Sequence, residues 1–262
     1  MNAKANGDMT AVSVSHTNEN TYISGLLEKQ ETLNILCLRQ RYQQFFLSEH
    51  TFCNSSPKLS VLISEESDHP GAGSYTIDNF LPERFLHFLE YLWLSLPTSE
   101  CGESTKKKLE NSIICSVRSY ICDSEGFLCQ SLSTHASNAF ESSAVTSGQS
   151  SSLSFFPQMR FLNYDQKGGE LGPHIDLTKV DSLSGKRSTH TFILYLRDCS
   201  EGGETALLKE LSPHGPHDFH QILSQVAPRR GRLLLFPHAC PHQGNKVIST
   251  PKILLRGEAH LV

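Results

Sequence analysis

From Thr21 to His50 the apolar positions Leu26, Leu33, Leu36 and Leu38 recur at near-helical spacing among polar residues, with no proline and a single glycine, Gly25. That pattern predicts a helix. The cluster DHPGAG at 68–73 punctuates the chain and marks a boundary. Beyond it Tyr75–Asp78 reads as a short strand. Pro82–Leu96 reads as a helix with Phe85, Phe88, Leu89 and Leu92 on one stripe, opened by Pro82 and closed by Pro97. Ser112–Asp123 alternates as one strand or two. Serine supplies ten of the twenty-five residues 130–154 without periodicity, which predicts a flexible insertion.

After Phe155 the spacing shortens. Strands are predicted at 158–164, 190–197, 204–208, 231–236 and 252–260, with turn signals at 167–172, 201–203 and 243–245. Short strands joined by small turns predict a mainly β sandwich or jelly roll with flanking helices. The organisation that follows is a disordered leader over 1–20, a helical extension and linker over 21–73, and one domain over 74–262.

Composition narrows the function classes. There are 23 basic and 27 acidic residues, a net charge of −4 and a pI near 6.3, so a general nucleic-acid binder is disfavoured. The most apolar long stretch, Phe80–Leu96, is interrupted by Glu83, Arg84, His87 and Glu90, and it predicts no membrane span. The first twenty residues lack the apolar run of a signal peptide, so a cytoplasmic or nuclear protein with reduced thiols is expected. The eight cysteines form no C-x-x-C pair.

The candidate chemistry begins at Pro173-His174-Ile175-Asp176. At strand spacing, residues two apart share a face, so His174 and Asp176 point into one cavity. A third donor stands far along the chain, in Gly231-Arg-Leu-Leu-Leu-Phe-Pro-His-Ala-Cys-Pro-His242-Gln-Gly244. One carboxylate and two imidazoles make the facial triad of a non-haem Fe(II) oxygenase. His238 is the rival to His242 for the last position. Tyr164 lies ten residues before His174, and the pair Gly202-Gly203 permits a tight turn into a strand. Lys252 and Arg256 share one face of the last strand, where a cation can hold a carboxylate. His214, His217 and His220 are spaced for a helical metal site, but Gly215 and Pro216 break such a helix, so they read as a surface loop.

In this order the motifs resemble the prolyl 4-hydroxylase-like branch of the Fe(II)- and 2-oxoglutarate-dependent dioxygenases. The resemblance runs through Tyr164, His174-x-Asp176, Phe192-Ile-Leu-Tyr195-Leu, Gly-Gly-Glu204, Phe236-Pro, His242-x-Gly244, Val247, Lys252 and Arg256. It implies a double-stranded β-helix core with His174, Asp176 and His242 as iron ligands. It also implies 2-oxoglutarate as cosubstrate, dioxygen as oxidant, and L-ascorbate to restore oxidised iron. Lys252 matches the place that grips the distal carboxylate of 2-oxoglutarate, with Arg256 as its rival, and Tyr164 and Tyr195 match cosubstrate contacts. The expected substrate is a protein side chain, a prolyl residue first, or a small molecule. A cupin-like metal protein of other chemistry and a non-catalytic jelly-roll binding module are the alternatives.

Overall fold

The structure, a computed structural model, describes residues 40, 42–43, 55–99, 116–143, 152–181, 184–211 and 222–261. Of the helix predicted over 21–50, Gln40, Tyr42 and Gln43 are helical and the rest lies outside the described residues, as do the leader and His214, His217 and His220.

Two antiparallel sheets face each other. The chain runs through β1 (Lys58–Ile63), β2 (Ser74–Asp78), α1 (Glu83–Ser95), β3 (Val117–Cys122), α2 (Phe127–Glu141) and β4 (Leu153–Tyr164). It continues through β5 (Leu171–His174), β6 (His190–Tyr195), β7 (Thr205–Leu208), β8 (Ile222–Val226), β9 (Leu233–Pro237), β10 (His242–Gly244) and β11 (Lys252–Leu261). A seven-stranded sheet has the order β1-β2-β9-β6-β11-β4-β3, and a four-stranded sheet the order β5-β10-β7-β8. This is the double-stranded β-helix of the sequence reading, a mainly β jelly roll flanked by helices.

The apolar runs in β6 and β9 are continuous because both faces of the large sheet are covered. Phe192, Leu194, Leu233, Leu235, Ile253 and Leu255 pack in one cluster with Phe85, Phe88 and Leu92 of α1 and Leu128 and Leu132 of α2. The alternate residues Ile193, Tyr195, Leu234, Phe236 and Leu254 pack in a second cluster with Leu207, Val226 and Val247 between the sheets. Each fully buried side chain of this size contributes roughly 1.5–3 kcal/mol. The outer layer therefore supplies much of the stability that holds the inner face in place.

Three sequence expectations are corrected. The serine-rich segment is not an unstructured insertion from residue 130, because α2 occupies its first half. Leu128, Leu132, Ala136, Ala139 and Phe140 give α2 a buried stripe, while Ser131 and Ser142 donate to the carbonyls of Phe127 and Asn138, four residues back. The Asp123 carboxylate accepts from the amides of Phe127 and Cys129 at the helix start (3.0 and 2.8 Å). The sheet also begins before residue 74, since β1 pairs with β2 from Lys58↔Asp78 onward. Finally, the turns expected at 167–172 and 243–245 overlap the short strands β5 and β10.

Candidate active site

The small sheet brings the two histidines together. β10 and β5 pair antiparallel with His242 directly opposite His174, and their ring centroids are 4.1 Å apart. Asp176 lies just past the end of β5, where its amide donates to the carbonyl of His238 (3.0 Å) and turns the side chain back toward the rings. His174 Nε2 is 3.7 Å from Asp176 Oδ1, and His242 Nε2 is 3.5 Å from Asp176 Oδ2. One donor atom from each residue lies within 4.8 Å of the others, and no other such group of His, Cys, Asp or Glu occurs among the described residues.

The far sides of the rings are engaged. His174 Nδ1 donates to the carbonyl of Gly172 and His242 Nδ1 to that of Cys240, both at 2.9 Å. Each ring thus presents an Nε2 lone pair to the shared point, the arrangement in which a second partner orients a metal ligand. Burial first, and the neighbouring His174 second, hold the His242 pKa well below its ordinary value. His242 is therefore a neutral donor at neutral pH. Donors about 2.0–2.2 Å from one ion at right angles stand roughly 3 Å apart, somewhat closer than the 3.5 and 3.7 Å between the histidine nitrogens and Asp176 here. The donor set fits Fe(II) in a facial triad with open positions.

Asp176 is held from behind. Thr191 Oγ1 donates to its Oδ2 at 2.6 Å, and the Arg256 guanidinium forms an ion pair with Oδ1. Thr191 has a single hydroxyl proton, which the acceptor-only carboxylate takes. His238 Nδ1, 2.9 Å from the same hydroxyl, must then be the donor to it. Ser188 completes the chain at 2.7 Å from His238 Nε2. His238, the rival for the third metal position, stands behind the carboxylate and outside the cluster. Sequence reasoning missed Thr191, although its spacing of two from Ile193 and Tyr195 puts it on their face.

Lys252 and Tyr164 are register partners on β11 and β4, with the Lys252 Nζ 5.2 Å from the Tyr164 ring centroid. The lysine is only 3 % exposed, and burial pushes its pKa down to about 8, against the opposing influence of Cys199 and Glu204. Its stem depends on Gly203, which has φ +71°. A Cβ there would lie 3.2 Å from Lys252 Cδ and 3.3 Å from Cys199 Sγ. Tyr195, opposite Leu254, shares a 2.7 Å hydrogen bond with Thr205 Oγ1, and burial raises both tyrosine pKa values. Phe236 packs on the His242 ring (centroids 4.5 Å apart) and forms an apolar wall.

Residues 159–257, which span every one of these positions, match the 2OG-Fe(II) oxygenase superfamily. None of the curated proteins matches the chain. Among solved structures, the chain is similar to a viral collagen prolyl hydroxylase from Paramecium Bursaria Chlorella virus-1. That likeness has 16% identity over 75% of this chain and 99% of that one, with a TM-score of 0.44. HygX from Streptomyces hygroscopicus, with nickel and 2-oxoglutarate bound, is similar at 14% identity over 72% and 82% (TM-score 0.47). A prolyl hydroxylase from Trichoplax adhaerens, in complex with a hypoxia inducible factor oxygen degradation domain peptide fragment, is similar at 17% identity over 90% and 92% (TM-score 0.47). The assignment rests on the superfamily match and the site, not on these likenesses. Residues 159–257 match the 2OG-Fe(II) oxygenase superfamily and carry its His-Asp-His cluster inside a double-stranded β-helix, which supports an enzyme, a 2-oxoglutarate-dependent dioxygenase that uses Fe(II).

Proposed function

We propose that the enzyme hydroxylates a protein side chain, a prolyl residue first among them, or a small molecule, with His174, Asp176 and His242 holding the iron. The observation that carries this reading is the convergence of three donors whose remaining polar atoms are already partnered. The chemistry that bound Fe(II) and 2-oxoglutarate supply is oxidative decarboxylation of the cosubstrate, yielding succinate and CO2, coupled to hydroxylation.

The chain's own residues prepare that chemistry. The two imidazoles turn their Nε2 atoms toward the shared point, and Asp176 adds a carboxylate whose direction Thr191 and Arg256 fix. Lys252 is the cation for the distal carboxylate of 2-oxoglutarate, with the hydroxyls of Tyr164 and Tyr195 on the same inner face as further partners. Arg256, engaged with Asp176, is the weaker candidate for that carboxylate. Phe236 excludes water beside His242. The segment that carries Asp176 also exposes the large apolar side chains Ile175, Leu177 and Val180. Exposed apolar surface there favours a substrate with apolar surface of its own, as a peptide has.

The test is succinate release from 2-oxoglutarate with added Fe(II), alone and with proline-containing peptides or small-molecule pools, in wild type and Asp176→Ala. Wild-type turnover that the substitution abolishes is expected. Equal turnover in both proteins, or iron binding with no succinate from wild type, would overturn the reading, the latter in favour of a metal protein of other chemistry.

A further inference from the structure

The inner face of the large sheet continues past the metal ligands onto β4 and β3, and it is cationic. Strands β3, β4, β6 and β11 contain five Lys, Arg, Asp or Glu residues: Arg118, Arg160, Lys252, Arg256 and Glu258. All five face inward. Arg160 alternates with the inner-cluster residues Leu162 and Tyr164, and Arg118 stands opposite Leu162. Lys252, Arg256 and Glu258 alternate with Leu254 in the same way.

Arg160 is the direct cross-strand neighbour of Arg256, which touches Asp176. Like charges directly opposite each other destabilise a sheet unless something neutralises them. Arg256 is neutralised by Asp176. For Arg118 and Arg160, no carboxylate among the described residues is within ion-pair reach, and the Nε of each is buried without a hydrogen-bond partner. Burying a guanidinium nitrogen unpartnered is unfavourable. The one carboxylate of these strands, Glu258, is half-buried; burial raises its pKa, and the Arg160 charge is the largest influence opposing that rise, without an ion pair between them. Lys179, on the exposed segment that follows Asp176, adds its positive charge to the field at Glu258.

We infer that Arg118 and Arg160 form an anion-binding strip that holds a carboxylate or phosphate group of the substrate while its reacting carbon faces the metal ligands. The inference rests on the dioxygenase reading and specifies its substrate class. Strand spacing of about 4.8 Å places the strip one and two strands from Arg256, so the anionic group sits roughly 5–10 Å from the site of hydroxylation. Both an acidic peptide and a small anionic metabolite present this chemistry.

The experiment measures retention by native mass spectrometry on the full chain, with and without Mn(II). One arm uses peptides of equal length carrying Glu or Gln around a central proline. The other uses small carboxylates and phosphates against their amide and alcohol counterparts. The acidic members of one arm should be retained at least tenfold over their neutral counterparts, and that arm identifies the source. Arg118→Gln/Arg160→Gln should reduce the preference to less than threefold, while Arg118→Lys/Arg160→Lys keeps more than half of it. If the double glutamine variant fails to melt cooperatively, each single variant is read instead, with a threefold loss expected. Equal retention in both arms, or a preference that survives the glutamine substitutions, overturns the inference. Wild-type 2-oxoglutarate turnover is measured separately, so a failure of the dioxygenase reading shows there and not in the retention ratio.

Discussion

Toward α1 and α2 the large sheet presents Phe161, Phe192, Leu194, Leu235 and Leu255, all fully buried. Toward the small sheet the same strands present Arg160, Tyr164, Thr191, Tyr195, Lys252 and Arg256 among aliphatic neighbours. One face buries hydrocarbon. The other holds buried charge and hydroxyl groups at a cost that only a ligand or a fixed partner offsets. Substitutions on the outer face should therefore act on folding, and those on the inner face on what the protein binds.

The sharpest way to break this comparison is at Asp176. Asp176→Ala should lower Mn(II) affinity and succinate release by a factor on the order of a thousand, while helical and sheet content by circular dichroism stay unchanged. Next in size is Phe192→Ala on the outer face, expected to cost about 3–5 kcal/mol in chemical denaturation. The 2-oxoglutarate affinity of its folded fraction should match wild type. If it instead loses affinity at full stability, the division between faces is wrong.

Lys252→Met separates the two effects within one side chain. Losing a charged hydrogen bond to the cosubstrate should weaken 2-oxoglutarate binding by about ten- to a hundredfold. Replacing a buried cation by a hydrophobe of similar volume should leave stability equal or higher. A fall in stability with unchanged affinity would make Lys252 structural. Thr191→Val is milder, with about tenfold weaker metal binding expected in a titration, because Asp176 loses the donor that orients it.

The smallest effect is with pH. The Lys252 pKa in the folded chain, about 8, lies below the ordinary 10.5. Between those values the unfolded chain binds more protons, so this residue makes stability rise with pH. Over the same range the ammonium is lost from the folded state, and 2-oxoglutarate affinity should fall. Isothermal titration and denaturation at pH 7 and 9 should move in opposite directions, and Lys252→Met should flatten both trends.

The parts legible in the sequence were those whose patterns are local and intense. HTFILY of β6, LLLFP of β9 and KILLRGEAHL of β11 read as strands because both faces bury apolar groups. The stripe of α1 was equally plain. β5 and β10, LGPH and HQG, are too short and too polar to stand out, and their strand character comes from pairing with each other. α2 was obscured because its serines satisfy their hydroxyls on the helix's own carbonyls, so composition alone suggested a loop. In the site, H-x-D and the later His-x-Gly were visible as a pattern. The hydrogen-bond chain from Ser188 through His238 and Thr191 to Asp176 joins positions up to fifty apart, and only the folded chain brings them together.

β5 hangs on the small sheet through β10 alone, since it is the outermost strand there. The pairing of His174 with His242 means that an ion bound between them would tie that loose margin to the interior, like a rivet through overlapping plates. Loss of iron would then do more than silence the chemistry: it would free the strand that carries one ligand and the segment that carries another, leaving re-entry of metal to wait on their re-alignment.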